Sequence, residues 1–147
     1  MLVVVADKDP YVLDAARSAL AGADSDVLTA SDGPETVRLV RENLPDVVVV
    51  ASSLGHMGGF ALARDLKTFA RAGEFPEPKI VVLLERQADT WLAAWSGCDT
   101  WATKPVEVGE LRRMVREAAG LETQTSDGRP APDVAHRSPD PGPSAAA

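Results

Sequence analysis

Five runs rich in β-branched residues, each followed by a stretch with helical spacing, recur along the first 120 residues and constrain the fold more than any other feature. Apolar runs without polar alternation belong to strands buried on both faces, and their regular interleaving with helices is the pattern of βαβ units building a parallel sheet. The runs are Leu2 to Ala6, Val27 to Thr29, Val47 to Ala51, Ile80 to Leu84 and Thr100 to Thr103. Asp9-Pro10 opens a helix through Leu20 striped by Val12, Leu13, Ala16 and Leu20, and Gly22 stops it. Pro34, with Asp32 as its cap, opens a second helix through Asn43. Gly59 begins a third, to about Arg71, and AGEFPEP makes a loop. Arg86 to Ser96 reads as a fourth, ending at Gly97, and Val108, Leu111, Val115 and Ala118 stripe a last helix that closes the domain near Gly120.

Residues 121–147 hold five of the eleven prolines and almost no large apolar side chain, so this segment is expected to be a disordered, Pro-rich tail. It carries two arginines against four acids, so neither it nor the remainder of a chain of net charge −7 is basic. That balance argues against a nucleic-acid-binding surface, and nothing after Gly120 has the pattern of a helix-turn-helix. The longest apolar run is far too short to span a bilayer and the N-terminus lacks a signal-peptide pattern, so a cytoplasmic protein without membrane contact is expected. Cys98, the single cysteine, has no neighbouring His, Asp ligand pattern or second Cys, and reads as a small packing residue.

Several short motifs recur in a telling order: VVVADKDP first, PDVVVVA in the middle, a GHMGGF turn, then GCDTWATKP. In this the first 120 residues resemble the receiver domain of bacterial two-component response regulators, the CheY-like family. The resemblance implies a flavodoxin-like, doubly wound five-stranded α/β sheet of order 2-1-3-4-5, with a site at the carboxyl ends of the strands. It also implies transfer of a phosphoryl group from a histidine kinase to an aspartate ending strand three. That chemistry needs a carboxylate nucleophile, a divalent metal, and a lysine and a hydroxyl to hold phosphoryl oxygens.

Matched residue by residue, most of that set is missing. The acceptor position falls on Ala51, whose methyl has no lone pair. Ser52 and Ser53 follow, but side-chain direction reverses along a strand and a serine ester lacks acyl-phosphate reactivity; they read as loop groups that satisfy backbone. The metal-holding acidic pair corresponds to Asp7 and Lys8, so one carboxylate has become an ammonium, and no cofactor or metal is expected. Asp9, before Pro10, reads as a helix cap. The hydroxyl position matches Leu84, and no Ser or Thr lies between Ile80 and Arg86. Lys104 survives; the resemblance implies a cis bond to Pro105, and an ion pair with Asp7 is the plainer expectation for its side chain. Lys8, Asp7 and Lys104 are expected to form a fixed polar cluster in place of the metal.

These substitutions lead to a pseudo-receiver, a stand-alone atypical response regulator with no enzymatic activity, acting through protein contact with another signalling protein or a second copy of itself. The contact face expected from the resemblance is that of helix four, strand five and helix five. It holds Trp91, expected mostly in the core, and Trp95 and Trp101, either of which could present an exposed edge. Arg112, Arg113 and Arg116 lie off the apolar stripe of the last helix, as a solvated face or a meeting point for an acidic partner. The alternative is a receiver-like domain sensing a small ligand or phosphate compound at the vestigial pocket, through Lys104 and the glycine loop around His56 and Met57. A flavin-type enzyme of the same fold lacks the phosphate loops it needs.

Overall fold

The computed structural model describes residues 1–55 and 58–121. Its elements follow in strict alternation: β1 (Leu2–Ala6), α1 (Pro10–Leu20), β2 (Asp26–Ala30), α2 (Gly33–Asn43), β3 (Val47–Ala51), α3 (Gly59–Arg71), β4 (Lys79–Leu84), a 3-10 turn (Gln87–Asp89), α4 (Thr90–Ser96), β5 (Thr100–Thr103) and α5 (Val108–Ala118). The strands form one parallel sheet of order β2-β1-β3-β4-β5, as the aliphatic runs and the family resemblance imply. The expected tail lies outside the described residues except for Leu121.

Pleat alternation sorts the strand side chains into two cores. Val4, Ala6, Val48, Val50, Ile80, Val82 and Leu84 face one side, where Val40 of α2, Leu62 and Leu66 of α3 and Ala93 of α4 cover them. Val3, Val5, Val47, Val49, Val81 and Leu83 face the other, beneath Ala16, Ala19 and Leu20 of α1 and Leu111, Met114 and Val115 of α5. Burying each of these valines contributes about 1.5–3 kcal/mol, which is why all-aliphatic strands settle between two helical layers.

Local chemistry sets the helix starts. The Asp9 carboxylate accepts from the Tyr11 amide at 2.9 Å, and the Asp32 carboxylate from the Glu35 amide at 2.8 Å, each satisfying a first-turn donor just after a proline. The fourth helix departs from the expected span: residues 87–89 form a 3-10 turn and only Thr90–Ser96 are α-helical. That change of winding resets the helical phase, turning Ala93 and Ser96 toward the sheet and the tryptophans away from it.

A buried ammonium ties the far end of the sheet. Lys67 of α3 is 3% exposed and donates to Glu77 at 3.1 Å, to the Pro78 carbonyl at 3.0 Å and to Asp99 at 2.8 Å. The same Asp99 oxygen accepts from the Ile80 amide at 2.7 Å, so the GCD motif anchors the entry to β5 against β4. Lys67 holds the Glu77 carboxyl below its usual range through that hydrogen bond.

Candidate functional site

The carboxyl ends of β1, β3, β4 and β5 converge on a small polar group. Asp7, just past β1, is 2% exposed. One of its carboxylate oxygens accepts from the Asp9 amide at 3.0 Å and the other from the Lys104 ammonium at 2.9 Å. Lys104 follows β5, is pinned by its amide to the Leu84 carbonyl at 2.8 Å, and precedes a cis bond to Pro105. Its ammonium also meets the Glu85 carboxylate at 2.8 Å. One cation thus bridges two carboxylates from strand ends that flank β3.

Glu85 was not among the residues expected here, and it stands where Leu84 was. Ala51 pairs in register with Leu83, so position 85 continues the same face of the sheet and position 84 the opposite one. Leu84 is fully buried in the core beneath α2, α3 and α4 and does not reach the site. The signal that could have found Glu85 was parity: counted from Val81 and Leu83, the next side chain on that face is residue 85.

Lys8 also lies elsewhere than expected. It is exposed and makes no ion pair with the described residues; Asp7 turns inward and the next side chain leaves the site. The cluster is therefore Asp7–Lys104–Glu85, with Lys8 acting only at a distance. Hydrogen bonding from Lys104 holds the Glu85 carboxyl below its usual range, against an opposing burial effect, and the Ser53 hydroxyl and Lys8 charge add smaller contributions. For Lys104 burial favours the neutral amine, but the bonds to Glu85 and Asp7 together outweigh it and raise its proton affinity.

Ala51, 1% exposed, ends β3 beside this cluster. Its carbonyl explains Gly59 in the GHMGGF turn, since a Cβ on residue 59 would lie 2.1 Å from that oxygen. The Gly59 amide bonds the Ser52 carbonyl at 3.1 Å, and the Ser52 hydroxyl accepts from the Glu85 amide at 3.2 Å, so that serine serves the backbone. His56 and Met57 lie outside the described residues. A divalent cation prefers six or more oxygens; here the Asp7 and Glu85 carboxylates are both engaged by the Lys104 ammonium and the side chain of residue 51 offers no oxygen, so the donor set does not fit one.

The proposed contact residues divide. Trp91 is 58% and Trp95 48% exposed, correcting the expectation that Trp91 is core, while Trp101 is 6% exposed and packs in the core. Trp95 carries the Arg64 guanidinium of α3 over its ring at 4.6 Å, and Arg64 donates to the Trp95 carbonyl at 2.8 Å. The α5 arginines have partners within the chain: Arg112 bonds the Ala19 carbonyl at 3.0 Å, Arg113 meets Glu117 at 3.4 Å and Arg116 meets Asp24 at 3.3 Å. Cys98 is half-buried, its thiol pushed up to about 11 by burial, as suits a packing residue. No described helix is long and apolar enough to cross a membrane.

Comparison with known proteins agrees with this fold. The response regulator receiver domain model matches residues 3–116. The transcriptional regulatory protein KdpE of Mycobacterium tuberculosis is 30% identical over 128 residues, covering 86% of this chain and 54% of that protein. The heme response regulator HssR of Staphylococcus aureus is 32% identical over 115 residues, 77% of this chain and 49% of its own length. The chain spans about half the length of these relatives. Among solved structures, the chemotaxis response regulator CheY4 of Vibrio cholerae superposes with TM-score 0.71 at 18% identity, covering 80% of this chain and 97% of its own. The Saccharomyces cerevisiae Ssk1 receiver domain, solved with the phosphotransfer protein Ypd1, superposes with TM-score 0.73 at 21% identity, covering 82% and 89%. With its strand order, its strand-end site and a family match spanning most of its length, this chain belongs to the response regulator receiver domain family.

Proposed function

We propose that this domain is a pseudo-receiver: it takes no phosphoryl group and signals through protein contact alone. The observation that carries the reading is Ala51, a buried methyl at the end of β3, beside a lysine whose ammonium is already shared by Asp7 and Glu85. A nucleophile is absent at that position, and the cation that would meet a phosphoryl oxygen has two internal anions instead. Glu85 in this reading occupies the role of a permanent anionic ligand, so the strand ends keep one arrangement without a chemical trigger.

The contact surface in this reading centres on α4, where Trp91 and Trp95 stand exposed one turn apart. Exposed tryptophans flanked by an arginine have the composition of interface anchors, and Arg64 already lies against Trp95. The partner is another signalling protein or a second copy of this chain.

The test is incubation with radiolabelled acetyl phosphate and with a promiscuous histidine kinase, with and without magnesium. Native protein should stay unlabelled; any covalent label on it would overturn the reading, and Ser52→Ala and Ser53→Ala variants would show whether a serine carries it. A variant carrying Ala51→Asp and Lys8→Asp should stay poorly labelled until Glu85→Thr is added, because Glu85 competes for Lys104.

A further inference from the structure

Beneath the polar cluster, between α1, α5 and the sheet, lies a cavity of about 490 Å³, within the roughly 300–1,000 Å³ range of small-molecule pockets. Its floor is Val5, Val49 and Leu83, and its α1 wall is built from Ala15, Ala16 and Ala19. Ala16 and Ala19, buried against aliphatic side chains, leave volume that larger residues would fill. The two helices are tied together beside it, the Arg112 guanidinium of α5 donating to the carbonyl of Ala19 at 3.0 Å.

The polar side chains of the lining are Asp7, Glu85 and Lys104. An incoming anion meets two carboxylates, and an incoming cation meets the ammonium held between them; either also loses its hydration against apolar walls. Both Asp7 oxygens have donors. The Lys104 ammonium has three donors, of which Asp7 and Glu85 take two, leaving one for a ligand acceptor.

We propose that the α1–α5 cavity binds a small uncharged molecule, mainly apolar, with one hydrogen-bond acceptor directed at Lys104. The site goes beyond the pseudo-receiver reading and does not depend on it, since binding here needs no phosphoryl chemistry and the test reads binding alone.

The experiment is an amide-resolved NMR titration of the native chain with four probes sharing one ring: acetophenone, ethylbenzene, benzoate and benzylamine. Acetophenone should give saturable shifts centred on Val5, Ala16 and Leu111 with a Kd below about 1 mM. Benzoate and benzylamine should bind at least about tenfold more weakly, and ethylbenzene about three- to tenfold more weakly for lack of the acceptor. Ala16→Phe should abolish the shifts; Ala15→Leu, at the exposed lip, serves if the first variant fails to fold. Absence of saturable shifts, equal binding of a charged probe, or shifts that persist when the cavity is filled would each overturn the proposal.

Discussion

Replacing Lys104 by Met removes the cation from the strand-end cluster while keeping most of the side-chain volume. Asp7 is only 2% exposed and Lys104 23% exposed on the side chain, so this is a largely desolvated pair. Losing one partner of a buried pair costs about 3–5 kcal/mol because the other is stranded; with Lys104 partly solvated and the Asp9 amide still serving Asp7, about 2–3 kcal/mol is expected. Glu85 behaves differently: its side chain is 43% exposed, so water can replace the ammonium, and Glu85→Gln should change stability by less than about 1 kcal/mol. Urea unfolding followed by circular dichroism reads both. With m near 1–3 kcal/mol/M, Lys104→Met should lower the midpoint by about 0.7–3 M at unchanged m. A double-mutant cycle with Asp7→Asn should return a coupling of at least about 1.5 kcal/mol. A midpoint within about 0.3 M of native, or equal effects of Lys104→Met and Glu85→Gln, would refute the account of a cluster held by its buried half.

Other outcomes follow from the same geometry. Glu85 has a lowered proton affinity in the fold, so its contribution is present above its unfolded pKa, about 4.3, and is lost as pH falls through the folded value. Lys104 is raised, so its contribution is full below about 10.4 and is lost as pH climbs through the folded value; the native-minus-E85Q midpoint difference should be flat from pH 6 to 9 and shrink at both extremes. Trp101→Ala should destabilise by about 3–5 kcal/mol, whereas Trp91→Ala should stay within about 0.5 kcal/mol in the same urea series. Gly59→Ala should lose about 2–3 kcal/mol, because its methyl would collide with a backbone carbonyl that cannot swing aside. Native Cys98 should resist iodoacetamide at pH 8 and react only after unfolding, as its thiol is pushed up to about 11.

Much of the fold was legible because its signals are local. A run such as VVVVA needs two covered faces whatever surrounds it, and Asp9-Pro10 or Asp32 ahead of Pro34 starts a helix with chemistry contained in a few residues. The expected strands fall within one residue of those found at β2 and β4. The fourth helix was the exception: a 3-10 turn of three residues shifts the angular phase of everything after it, and so Trp91 faces water. Of the site, Asp7, Ala51 and Lys104 were legible from motif and spacing, and the Asp7–Lys104 pair follows from strands ending at one edge.

What the sequence alone determined is the order of elements and the methyl at position 51, a group that cannot attack phosphorus in any environment. What only the tertiary structure decided is who partners whom at the strand ends. Glu85 and not Leu84 meets Lys104 because β4 pairs with β3 in a register that fixes pleat parity, and Lys8 leaves the cluster because its side chain diverges from that of Asp7. Whether a side chain enters a site depends on registers and helix phases set by packing across the whole sheet, and a one-residue shift in either reverses the answer.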